Sequence, residues 1–118
     1  MNEFSVNLPL TGEYLTTVRL TTGGLCSLVG FDVDAAEDYK VCVTESLLIL
    51  KRNGYTTARI DFTVGEALAC RICGLAQGGE KADEVENEIS RALLGALLGD
   101  VELETDENGN ISGIRFEG

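Results

Sequence analysis

Apolar and polar residues alternate from Glu3 to Leu10, placing Phe4, Val6, Leu8 and Leu10 on one side. A period of two predicts a half-buried strand, ending at Pro9. The period then lengthens to that of a helix, roughly from Glu13 to Val29. Gly23-Gly24 lie within this helix, and each costs about 1 kcal/mol relative to alanine, so the pair predicts close packing or a local irregularity. A second, longer helix covers Asp38 to Tyr55, DYKVCVTESLLILKRNGY. Asp34 followed by Glu37 reads as its capping box, and Tyr39, Val43, Ser46/Leu47 and Leu50 recur at helical spacing. From Leu47 to Leu50 the helix is apolar nearly all round, as expected of one lying in the middle of a core.

Alternation returns from Thr57 to Val64, where Ile60, Phe62 and Val64 oppose Arg59, Asp61 and Thr63. Gly65-Glu66 is a plausible two-residue turn into a strand from Ala67 to Cys73, so the two strands are expected to be antiparallel neighbours. Asp83 to Leu98 reads as a third helix, with a stripe of Val85, Ile89, Ala92/Leu93 and Ala96/Leu97 and a stop at Gly99. Val101, Leu103 and Thr105 then alternate with acids, and Asn108-Gly109 signals a hairpin into a last strand, Ile111 to Phe116. The order strand, helix, helix, strand, strand, helix, strand, strand, with one apolar face per strand, predicts an α+β fold. Its form is a two-layer sandwich, a mostly antiparallel sheet with three helices on one face. A chain of 118 residues without repeat or linker is one domain.

Glu45 stands alone as an acid in the most apolar helix, and a buried carboxylate costs several kcal/mol unless it is paired or its pKa rises. The run around it, VTESLLILKRNGY, resembles the N-box helix of the anti-sigma factor serine kinases, small bacterial members of the histidine-kinase-like (GHKL) ATPase superfamily. Val43, Thr44 and Glu45 match the start of that motif. Asn53-Gly54-Tyr55 resembles its end with one residue of slippage, and Tyr14 to Glu45 is similar to the family's entry into the helix. The resemblance implies a reduced Bergerat-like fold in which Glu45 is the vestigial general base for phosphoryl transfer to a serine. The family's magnesium ligand, an Asn four residues on, falls at Ile49, which offers no oxygen to a hard cation. Asn53 could replace it only from a turn further along.

The second nucleotide motif departs in the same way. Where the family has Asp-x-Gly-x-Gly in a loop, this chain has Gly74-Leu75-Ala76-Gln77-Gly78. Gly74 has no carboxylate for the adenine amino group, Ala76 replaces the first glycine, and only Gly78 remains. The stretch between Gly79 and the third helix is too short for the family's lid over the phosphates. Asp83 and Glu86 read as a second capping box there, among Glu80, Glu84 and Glu88. These acids suit the helix dipole but take the electrostatic role of phosphates.

Charge narrows the classes of partner. A net charge of -11 argues against sequence-independent binding of nucleic acid or anionic lipid, and favours an electropositive protein patch. No segment has the roughly 20 apolar residues of a membrane span, and MNEFSVNLPL lacks the basic start and apolar stretch of a signal peptide, so a cytoplasmic protein is expected. Cys26, Cys42, Cys70 and Cys73, without any histidine, do not resemble a secreted disulfide framework. Cys70 and Cys73 have C-x-x-C spacing, but on a strand residues three apart point to opposite faces, which favours simple thiols over a zinc or redox pair. Asp32, Asp34, Glu37 and Asp38 read as a solvated helix start rather than a cation site.

The expectation is therefore a pseudo-ATPase with neither ATP nor magnesium as cofactor. By resemblance it binds a sigma factor or an anti-anti-sigma protein, and it can pair as a homodimer as family members commonly do. Two alternatives stand beside it: an active serine/threonine kinase with a rearranged ATP site, and a regulatory domain binding another small ligand in the vacated cleft. Glu45 itself reads either as the retained base or as an acid paired with Lys51 or Arg52.

Overall fold

The computed structural model describes residues 2–81, 84–98 and 100–118. Strand β1 (Asn2–Pro9) leads into helices α1 (Gly12–Val29) and α2 (Val33–Arg52), then strands β2 (Asn53–Val64) and β3 (Leu68–Lys81). Helix α3 (Glu84–Leu98) and strands β4 (Val101–Thr105) and β5 (Ile111–Glu117) complete the chain. The five strands form one sheet in the order β1-β2-β3-β5-β4, and every pairing is antiparallel. The fold is the expected α+β two-layer sandwich. No helix among the described residues is long and apolar enough to cross a membrane.

Alternation sorts the sheet into two faces. Ala58, Ile60 and Phe62 of β2, Leu68, Cys70 and Ile72 of β3, and Ile114 and Phe116 of β5 are buried under the helices. On the other face Asp61 lies opposite Arg71, Arg71 opposite Arg115, and Arg115 opposite Glu102. Helix α2 runs across the middle of the covered face, with Tyr39, Val43, Ser46, Leu47 and Leu50 all buried, as its spacing predicts. Its Tyr39 hydroxyl donates to the Leu68 carbonyl at 2.8 Å, and the ring stacks edge-on to Phe31 and Phe116, fixing the helix start over β3 and β5. Close packing also explains Gly23 of α1, where a Cβ would stand 3.2 Å from the Lys40 stem on α2.

Four boundaries differ from the sequence expectation. Helix α2 is capped by Asp32, whose Oδ1 accepts from the Ala35 N–H at 2.8 Å, not by an Asp34–Glu37 box. Glu37 instead pairs with Lys40 at 2.7 Å. Gly30, at φ 81°, closes α1 at the expected place, and Asp32 follows in an extended conformation as the cap of α2. Helix α2 stops at Arg52, and Asn53-Gly54-Tyr55 opens β2. The turn after Val64 has three residues, Gly65 to Ala67, closed by the Gly65 N–H on the Ala67 carbonyl at 3.1 Å. Finally, Gly74 to Gly79 is no loop, since β3 continues to Lys81 and pairs back to Asn53 through bulged register near Tyr55 and Thr57.

Helix α3 is turned relative to its predicted stripe. Ser90 and Leu94 are buried and Leu93 and Leu97 half-buried, whereas Val85 and Ile89 are 62% and 64% exposed. The Asp83–Glu86 capping box and the Gly99 stop fall outside the described residues.

Candidate functional site

The positions compared with the nucleotide motifs lie on several elements: α2 supplies Glu45 and Ile49, β2 supplies Tyr55, β3 supplies Gly74 to Gly78, and α3 faces α2 with Ser90. Glu45, Ile49 and Gly74 are each packed against or bonded to the chain's own groups. The Glu45 Oε2 accepts a hydrogen bond from the Ser90 hydroxyl at 2.9 Å, and Ser90 in turn accepts one from the Arg52 guanidinium. Ser90 is fully buried, so this bridge ties α2 to α3 and turns Ser90, rather than Ile89, inward. Glu45 is thus joined to Arg52 through a serine. Lys51, the other candidate partner, is on the exposed side of the helix.

Ile49 lies wholly inside the core. Asn53, the alternative metal ligand, is buried and spent at both ends of its side chain. Its amide donates to the Ile49 carbonyl at 2.8 Å, and its side-chain oxygen accepts from the Ile111 N–H at 3.0 Å. It therefore caps α2 and pins β5 beneath the helix end. A buried amide bonded at both its nitrogen and its oxygen is a structural fixture, and freeing it for a cation would leave backbone groups unpaired.

Gly74 stands where the resembled family has an acid. A Cβ at this position would stand 2.4 Å from Cδ1 of Tyr55, whose ring lies directly against the strand. Any side chain there would displace that ring. Tyr55 is buried and its hydroxyl donates to Asp106 Oδ2 at 3.0 Å, which the Gln77 amide also reaches at 2.9 Å. Asp106 Oδ1 accepts from the N–H groups of Asn108 and Asn110 at 2.9 and 3.0 Å, shaping the β4–β5 turn. Partial burial pushes the Asp106 carboxyl up, but the Asn110 N–H, the Tyr55 hydroxyl and the Asn108 N–H outweigh it and hold it below the usual carboxylate range. Burial and the bond to Asp106 push the Tyr55 phenol up. Ala76 and Gly78 follow in β3 as exposed strand residues, with Gly78 at φ 121°.

The four thiols are free. Cys70 lies buried on the covered face of β3 and Cys73 half-buried on the other, so the pair is split across the strand as its spacing implies. Among the described residues no group of three or more Cys, Asp or Glu is placed to hold a metal ion.

A concavity lies beside this bridge and shares Arg52 with it. It is a cleft of about 540 Å³ where the C-terminal turn of α2 meets the β1–α1 junction and the far ends of β2 and β3. Leu10, Leu48 and Tyr55 give it an apolar lining, and Lys51, Arg52 and Lys81 bring three cations to it against one carboxylate among the described residues, Glu80. Sequence reasoning missed Ser90, Asp106 and this cleft. Ser90 carried a signal as the polar residue beside Leu93, Leu94 and Leu97 at helical spacing, but Lys81 joins the adjacent Lys51 and Arg52 from a distant strand, with no local pattern to announce it. The chain matches no model of a known protein family and no curated protein.

Proposed function

We propose that the chain is a reduced histidine-kinase-like domain that has given up nucleotide and acts in regulation by docking a protein, a sigma factor or an anti-anti-sigma protein by resemblance, in the cytoplasm. The observation that carries the docking is the outward stripe of α3. Val85 and Ile89 are more than half exposed, and Ala92 and Ala96 continue the same face at helical spacing. Exposed Glu80 and Glu88 flank its start, so a partner with an apolar ridge bordered by basic residues suits it. The loss of nucleotide is supported by Ile49 in the core, by the Tyr55 ring at the place of the adenine-binding acid, and by the use of Glu45 to hold Ser90. Phosphoryl transfer depends almost wholly on positioned metal and phosphate, and the motif residues that would position them are replaced or engaged.

Calorimetric titration with magnesium ATP into the millimolar range, with an EDTA control, is expected to give no heat beyond dilution. Stoichiometric, metal-dependent heat would overturn the pseudo-ATPase reading. Ile89→Glu is expected to abolish capture of sigma-pathway proteins by the purified chain while leaving its melting curve unchanged; unchanged capture would remove α3 as the docking face.

A further inference from the structure

We propose that the cleft at the C-terminal end of α2 binds a small amphipathic anion, a single carboxylate or phosphate head on an apolar body. The inference is independent of the partner reading, because the cleft uses none of the α3 stripe.

The charge distribution makes the cleft unlike the rest of the surface. The chain has 20 acids and nine cations, and three of those nine, Lys51, Arg52 and Lys81, line this one cleft. Lys40, Arg59, Arg71 and Arg115 are each in an ion pair. Lys51 and Lys81, which line the cleft from α2 and β3, make none with any described residue, although Glu80 lines the same cleft. The Arg52 side chain also lines the cleft, with its guanidinium donating to Ser90. The carbonyls at the end of α2 would repel an anion, but Asn53 covers them. Its backbone N–H reaches the carbonyls of Ile49, Leu50 and Lys51, and its side chain takes Ile49 again.

The lining selects the rest of the ligand. Leu10 and Leu48 present aliphatic surface and Tyr55 an aromatic ring, and the Lys81 stem runs along the backbone at Gly54, with Cγ 3.5 Å from where a Cβ there would stand. A lysine stem laid along the wall keeps its ammonium at the mouth. A cleft of about 540 Å³ with an apolar wall and a few convergent charges has the size and character of a small-molecule site. Free inorganic anions would leave the wall unused, and neutral hydrocarbons would leave the lysines unused.

Octanoate is the probe, titrated into the isotopically labelled full chain and followed by amide chemical shifts, with octanol and acetate as the arms that lack the charge and the chain. The expected result is saturable shifts clustered at Leu10, Leu48, Lys51, Tyr55 and Lys81 with octanoate, and none of comparable size with the other two. The exposed double variant Lys51→Glu/Lys81→Glu is expected to weaken octanoate at least about tenfold with an unchanged melting midpoint. Equal binding of octanol or acetate, an unaltered affinity in the variant, shifts scattered over the surface, or no saturation in the millimolar range would each overturn the proposal.

Discussion

The two sides of α2 make opposite use of the same helix. Towards α3 and the sheet, Glu45, Ile49 and the Asn53 cap are consumed by internal contacts: a serine bridge, the core, and two backbone groups. Towards β1 and the end of β3, Leu48 and Lys51 line an open cleft, and Arg52 stands between the two sides, lining the cleft while donating to Ser90. The side whose sequence resembles a catalytic motif is the closed one, and the side with no recognisable motif is the accessible one. Burial and hydrogen bonding fill the closed side from within, so its packing needs no ligand.

The contrast is broken most severely at Ile49. Ile49→Asn restores the residue type that holds magnesium in the resembled family, but it also exchanges a fully buried aliphatic side chain for an amide without partners. A loss of about 4 kcal/mol is expected in urea unfolding. A variant as stable as its parent would mean that this side of α2 is not packed as described.

Gly74→Asp attacks the same side from the sheet. The new side chain would drive Tyr55 off the strand and away from Asp106, at a cost of about 3 kcal/mol. A double-mutant cycle sharpens the point: in a Tyr55→Ala background the same substitution is expected to cost clearly less, and additive costs would show that the ring is not what excludes the acid.

The smallest effect concerns pH. Asp106 has a folded pKa below its unfolded value of about 3.9, so its contribution is fully present above that value and is lost as pH falls through the folded pKa. Asp61, held down first by the Ser5 hydroxyl and then by Arg59, against the opposing effect of burial, adds to the same acid limb. Asp106→Asn is therefore expected to lower stability at neutral pH and to shallow the acid limb, the two curves converging below about pH 4 in denaturant melts. Parallel curves would show that Asp106 is not stabilised in its charged form.

Periodicity made most of the fold legible, because a residue that must face a core recurs at the spacing of its element. Tyr39, Val43, Leu47 and Leu50 announced the central helix, and the alternation of Ile60 and Phe62 announced the central sheet. What stayed hidden depended on distant partners. Gly74 to Lys81 has no strand pattern of its own and is extended because the start of β2 pairs with it. Ile89 looked like core and Ser90 like surface until Glu45 and Arg52, on another helix, reversed them. At the site, the replaced motif positions Ile49 and Gly74 could be read directly from the chain. The reason no side chain fits at Gly74 could not, since Tyr55 lies in a different strand and reaches it only through the bulged register of β2 and β3.

The distribution of thiols has a consequence in time rather than in space. Cys26, Cys42 and Cys70 are sealed between α1, α2 and the sheet, and burial pushes all three thiols up, that of Cys42 to about 12 and that of Cys70 well above its ordinary value. Only a thiolate reacts quickly, and none of the three forms one readily while the layers stay together. Their alkylation therefore waits on separation of helix from sheet, so the interior carries its own clock, and the rate at which these sulfurs disappear counts how often the two layers part.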